Sequence, residues 1–245
     1  MQLTGPEILR IMNLNNPHNA TPDNPYGKPD IIIEPFDEKY LGSNSYDLHL
    51  SPKMRVYKNT IPYGMKPFIE YKEGKKYDMV DWFDTGGWIG YKRGDHEYDF
   101  RNPKFLIDPT KSNETIEFEI PECGAILNPQ FGYLGSTIEY TETYNLFPYI
   151  DGKSSLGRNF ILNHHTAGRG DDGFRGTWTL EIRVLFPTVV KPNMRIGQIY
   201  YEQFTGDRKQ YNRNPSSHYD GQRGPTPAAP IPVDVFTKEK TEKKR

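Results

Sequence analysis

The sequence predicts an all-β protein, a barrel or sandwich with short connections. Three observations carry that prediction. Thr115 to Ile120 alternates polar residues with Ile116, Phe118 and Ile120, the period of two expected of a half-buried strand. Trp178, Leu180, Ile182 and Val184 alternate in the same way with Thr179, Glu181 and Arg183. Glycine and proline, 22 and 21 of 245 residues, punctuate the chain often enough to keep its elements short.

Helical periodicity is confined to the amino-terminal end. Thr4-Gly5-Pro6-Glu7 reads as a helix start, with Thr4 as N-cap and Glu7 three residues on to close a capping box. Ile8, Leu9, Ile11 and Met12 supply its apolar face. From Asn13 to Pro29 the chain is rich in Asn, Pro and Gly, which favours loop, and Ile31-Ile32-Ile33 then reads as a short buried strand. The stretch from Lys58 to Asn113 is aromatic and Gly-rich with irregular spacing; it reads as an inserted hairpin set or an ordered surface excursion, with Trp82 and Trp88 as its core. The end of the chain, GPTPAAPIPVDVF followed by TKEKTEKKR, has the proline density of an extended arm and then the composition of a solvated basic tail.

The totals exclude several classes of function. A formal net charge of −1 gives no global electrostatic footprint for nucleic acid. Mean hydropathy is −0.80 and no apolar run approaches the length of a membrane span, so neither nucleic acid nor membrane is expected as a partner. The start, MQLTGPEILRIM, lacks the order of a signal peptide, and a cytoplasmic location is the expectation. Cys123 is the only cysteine, which rules out an internal disulfide and predicts a small packed side chain. One cysteine cannot supply the ligand set of a zinc-dependent nucleobase deaminase, and there is no H-E-x-x-H, so no zinc is expected.

Chemistry concentrates between Tyr149 and Glu181. Gly152-Lys153-Ser154-Ser155, with Arg158 five residues after the lysine, groups side chains that donate hydrogen bonds to anionic oxygens. Phe147 stands where a Walker A loop needs its first glycine, so this is not a P-loop; the alternative is an ordinary turn. The glycine-spaced acidic run from His165 to Gly176 can close on a ligand or serve as a plain hairpin loop. Glu181 faces opposite to Leu180 and Ile182. It is either a proton-transfer group or the partner of Arg183 two residues on. His164 and His165 read as packing residues.

Taken together these residues resemble the dCTP deaminase branch of the dUTPase-like superfamily, over most of the chain. Ser43 to Leu50, SNSYDLHL, is similar to the family's S-x-D-x-R-L strand, and Gly132 to Glu139, GYLGSTIE, to its "fvLgsTlE" strand. Gly152 to Arg158 matches G-[RK]-S-S-L-x-R, and the run from His165 to Gly176 contains T-A-x-x-x-D-x-G-[FW]-x-G. Asn193 to Gln198 resembles the P-G-M-x-I-G-Q turn and Tyr219 to Pro225 the terminal Y-x-G-Q-x-G-P. Thr166-Ala167-Gly168 looks more like the dUMP-forming members. Three departures stand out: His218 where the family usually has Lys, Gly170 in place of an apolar residue, and Asp172 in place of Pro or Ala, which would add charge near magnesium.

The resemblance implies a distorted, mainly antiparallel β-barrel of residues 1–223, interrupted by an insertion at about 58–113 and followed by an arm and basic tail at 224–245. It implies a homotrimer with active sites between subunits, and dCTP, dUTP and dTTP as nucleotide partners. Mg2+ would arrive on the triphosphate, with no metal ligands from the protein. Glu181 would take a proton from the water that attacks C4 of cytosine, Ser154 and the backbone of Ala167 would hold that water, and Arg158 would orient Glu181. Lys153, Ser155 and Gln198, with Tyr211 and Gln222 from the arm, would grip the phosphates, and His218 would make a weaker or pH-dependent phosphate contact. Arg169 would add to the nucleotide site, Asp171 would contact the deoxyribose, and the backbone of Thr179 to Glu181, Leu180 included, would read the base edge. Two other readings remain: a dUTP diphosphatase without deaminase activity, and a non-catalytic nucleotide-binding regulator.

Overall fold

The alternating stretches become strands because one side of each is apolar enough to be buried and the other is not. In the computed structural model, residues 1–21, 27–61, 65–77 and 106–233 are described. The longest strand, β7 (Tyr133–Thr143), organises the others. It pairs antiparallel with β1 (Ile31–Glu34), β3 (Lys53–Tyr57) and β10 (Arg175–Val184). β5 (Thr115–Glu119) extends the sheet beyond β3, and β9 (Ile161–Leu162) extends it beyond β10. Two three-stranded antiparallel sheets close the core. One orders β11 (Thr188–Val190), β6 (Ala125–Leu127) and β4 (Phe68–Glu70); the other orders β2 (Tyr46–His49), β12 (Arg195–Glu202) and β8 (Phe147–Asp151).

A single main hydrophobic core lies between the sheets. Leu180, Ile182 and Val184 of β10 enter it alongside Ile31 and Ile33 of β1, Leu48 of β2 and Ile196, Ile199 and Tyr201 of β12. The architecture is mainly antiparallel β with few short helices, as the alternation predicts. Among the described residues no helix is long and apolar enough to cross a membrane.

Local expectations fare unevenly. Helix α1 (Gly5–Met12) starts after Thr4, but no capping box forms, since the Thr4 side chain makes no cap bond. Glu7 instead forks onto Arg10 at 2.6 and 2.7 Å, one turn along the same face, and that bond holds its carboxyl below the usual range. Cys123 is exposed rather than packed, because it falls in the Pro121–Gly124 turn just before β6 begins. The stretch at 58–113 is partly structural: a 3-10 turn at Lys58–Thr60 and then β4, which pairs with β6. Trp82 and Trp88 lie outside the described residues.

Among the polar groups buried within the main sheet, Glu142 joins the most side chains. Glu142 of β7, 7% exposed, accepts from Lys28 Nζ at 2.9 Å, the Tyr140 hydroxyl at 3.0 Å and the Tyr144 hydroxyl at 2.6 Å. Burial pushes its carboxyl up, but the bonds from Tyr144 and Lys28, the lysine charge and the bond from Tyr140 outweigh it and leave the group lowered. A carboxyl lowered on folding contributes stability that is present above its unfolded pKa and lost as pH falls through the folded one. Glu142→Gln should therefore cost about 2 kcal/mol in urea denaturation near neutral pH, with the difference from the parent closing below about pH 4.

Candidate active site

The alternation that buries Leu180 and Ile182, 1% and 0% exposed, turns Thr179 and Glu181 to the other side of β10. There they line a cavity of about 690 Å³, a volume suited to a small-molecule ligand. Leu134 of β7, the registered neighbour of Glu181, continues the same wall, and Tyr57, Thr60 and Ile107 close its far end. The loop that carries Ala167, Arg169 and Asp171 forms a second wall. The third comes from the carboxy-terminal arm, through Tyr211, Tyr219, Gln222 and Thr226.

Glu181 does not turn to Arg183. Its Oε2 accepts a hydrogen bond from the His165 backbone N–H at 3.1 Å, so the loop that walls the cavity also orients the carboxylate. That loop is itself fixed on β8: Ile150 N donates to Gly168 O at 2.6 Å, Gly170 N donates to Pro148 O at 2.8 Å, and the Arg169 guanidinium lies 4.5 Å over the Phe147 ring. Asp171 remains exposed at the cavity. Asp172 does not share its surroundings, which corrects the expectation of extra charge near magnesium. It is 3% exposed, accepts from Asn145 N at 2.7 Å and lies 3.4 Å from Arg208, and burial pushes its carboxyl up.

Two glycines of this run, Gly173 and Gly176, make room for the chain itself, while Gly170 lines the cavity. Gly173 has φ +85° and Gly176 φ +151°, backbone angles that favour glycine. A Cβ on Gly173 would lie 2.7 Å from Asn212 Oδ1, and one on Gly176 2.9 Å from Gln222 O. Both positions are therefore kept bare by the chain's own arm. The arm runs beside β10: Gly221 N donates to Arg175 O at 2.7 Å, Thr177 N to Gln222 O at 3.0 Å, and Gln222 Nε2 to Thr177 O at 2.8 Å. Gly224 N and Thr226 N donate to the hydroxyls of Thr177 and Thr179.

A second constellation forms at the turn after β8. Helix α2 (Ser154–Arg158) presents Ser154, Ser155 and Arg158 to the exterior and anchors itself through Leu156. Lys153 pairs with Asp47, which also accepts from Arg195 at 3.1 Å. Gln198 accepts from the Ser45 hydroxyl and donates to Gly152 O, both at 2.9 Å. The glutamine thus braces the turn from the neighbouring strand.

The expected site residues accordingly divide. Ala167, Arg169, Asp171, Thr179, Glu181, Tyr211 and Gln222 meet at the cavity. Lys153, Ser154, Ser155, Arg158 and Gln198 gather at the turn and do not line that cavity within one chain. The Leu180 side chain belongs to the core, which leaves only its backbone for a ligand. His218 is exposed, with its ring 6.1 Å from that of Tyr219, and is not part of the cavity wall. Tyr57, Thr60 and Ile107 were missed because their surroundings in the sequence are irregular. Leu134 was within reach of reasoning, since strand pairing places it opposite Glu181.

Comparison with known proteins identifies the family. A family model described as dCTP deaminase-like matches residues 24–204. A Leptospira biflexa protein named "dCTP deaminase, dUMP-forming" is 34% identical over 228 residues, covering 93% of this chain and 95% of its own. Proteins of the same name from Clostridium acetobutylicum and Cytophaga hutchinsonii are 35% and 34% identical, covering 81% and 78% of this chain and 87% and 85% of their own. The chain belongs to the dCTP deaminase-like family.

Proposed function

We propose that this protein hydrolyses dCTP to dUTP and ammonia and carries the product on to dUMP and pyrophosphate. The names of relatives that match it over most of its length support the reading. The observation that carries it is Glu181, an oriented carboxylate facing a ligand-sized cavity from a strand whose neighbouring Leu180 is buried in the core.

In this reading Glu181 removes a proton from a water held by the Ala167 backbone and Ser154. The resulting hydroxide adds to C4 of cytosine, the ring nitrogen is protonated, and a second proton transfer lets ammonia leave. Arg158 orients the carboxylate and offsets the charge of the tetrahedral intermediate. The backbone from Thr179 through Leu180 to Glu181 reads the base edge and Asp171 holds the deoxyribose. Arg169, Tyr211 and Gln222 meet the phosphates on the cavity side, and Lys153, Ser155 and Gln198 meet them from the turn. His218, exposed on the arm, is a further nucleotide contact in this reading.

The separation of cavity and turn gives the assembly its role. We infer a distorted dUTPase-like barrel that forms a homotrimer, in which the turn of one copy completes the cavity of the next. Ser154, Ser155 and Arg158 are exposed on one chain, as residues awaiting a neighbour must be. Magnesium fits as a companion of the triphosphate. Among the described residues no group of three or more His, Cys, Asp or Glu could hold a metal ion, while Asp171 offers one carboxylate at the cavity. The bound ion would neutralise phosphate charge.

Incubation with dCTP and magnesium, with ammonia and pyrophosphate measured separately, tests the reading. Both products are expected. Ammonia alone would mean a deaminase that stops at dUTP, and pyrophosphate only from dUTP would mean a diphosphatase. Glu181→Gln should abolish ammonia release and leave nucleotide binding within about tenfold of the parent. Mixing inactive Glu181→Gln with inactive Arg158→Ala subunits should restore measurable turnover, because some sites in a mixed trimer then carry both intact residues. No recovery after subunit exchange would overturn the shared site.

A further inference from the structure

We propose that Arg175 and Asp220 are positioning residues: together they latch the carboxy-terminal arm onto β10 and so hold Gln222 and Tyr219 at the cavity before any nucleotide arrives. This rests on the proposed function for its kinetic consequence, though not for the latch itself. Neither residue touches the cavity in the way Glu181 does. Their effect passes through the arm between them.

The geometry is that of a fork on a carboxylate. Arg175 Nε donates to Asp220 Oδ1 at 3.1 Å and Nη2 to Oδ2 at 2.5 Å, with both side chains partly shielded from solvent. A planar guanidinium bound in this way fixes direction as well as distance, which a lysine cannot do. The bond to Asp220 holds the guanidinium firmly charged, well above its ordinary range. The cation is also anchored on the body of the protein, because Arg175 sits in register with Glu142 on β7. Glu142 is in turn fixed by Lys28, Tyr140 and Tyr144.

A second contact runs the opposite way. Arg223 of the arm places its guanidinium 3.7 Å over the ring of Tyr140, on the body. The cation thus sits on the body at one anchor and on the arm at the other, with Gly176 between them leaving no side chain to hold the arm off. The backbone bonds at Gly221, Thr177, Gly224 and Thr226 lie within the span of these two anchors or just past them. Beyond the seam the chain is pinned again: Ala229 N donates to the Tyr219 hydroxyl at 2.9 Å and Ile231 N to Pro109 O at 2.8 Å. An arm fixed in this way loses less conformational freedom when phosphates bind, and the gain is in affinity rather than in the chemical step.

Hydrogen exchange on the full-length protein without nucleotide tests the latch directly. Arg175→Ala and Asp220→Ala should each speed exchange at the Gly221, Gly224 and Thr226 amides about tenfold, with amides at the centre of β7 unchanged. The double variant should go no further than either alone, since the two remove one shared interaction. In turnover assays KM for dCTP should rise by a similar factor while kcat stays within about twofold. Arm exchange within about twofold of the parent in the arm-side variant Asp220→Ala, additive effects in the double variant, or a fall in kcat at constant KM would each overturn the proposal. Should the parent release no ammonia while the arm amides respond as expected, the functional reading fails and the latch stands.

Discussion

The pairing of β10 with β7 is the constraint on which the rest of the structure depends. Strand side chains alternate with a period of two, so a slip of one residue would drive Glu181 into the core and bring Leu180 to the cavity. The register is guarded at a break between Thr177 and Thr179. There the Thr137 hydroxyl accepts from Trp178 N and donates to Glu139 O, while Trp178 Nε1 bonds the Thr141 hydroxyl. Buried polar groups that pair only in one alignment make every other alignment costly. Placement of the carboxylate is thus a property of the whole sheet rather than of a local loop.

The same strand serves three tasks along its length. Its first residues receive the arm, its middle presents Thr179 and Glu181 to the cavity, and its end meets β9, which leads back to the turn that bears Ser154 and Arg158. Charge is distributed accordingly. The cavity wall carries Glu181, Asp171 and Arg169, whereas the turn gathers Lys153 and Arg195 around Asp47. Arg158 stands exposed beside them on α2. An anionic ligand is better served by the turn and a proton-transfer step by the cavity.

Much of this was legible in the sequence, and the parts that were not have identifiable causes. The strands at Thr115 and Trp178 follow from alternation, because one buried face leaves a period that local reading can detect. The capping box failed because Glu7 had two possible partners and the charged one a turn away won. Cys123 was misjudged because residue type predicts burial on average, whereas its position in a turn decides it. The division of the candidate site into two groups was invisible to motif spacing, which records order along the chain and not which surface each motif faces. The Arg175–Asp220 fork joins residues 45 apart at positions where the family motifs place no fixed residue type, so nothing in the sequence paired them.

Gly173 and Gly176 carry a last consequence. A survey of tolerated substitutions, scored by activity, would rank these two among the most sensitive positions of the chain although neither supplies a functional group. Their intolerance would report the thickness of a seam: even one methyl group lifts the arm from the strand beneath it. Sensitivity in such a survey therefore marks where two parts of the polypeptide must touch, as well as where a reaction takes place.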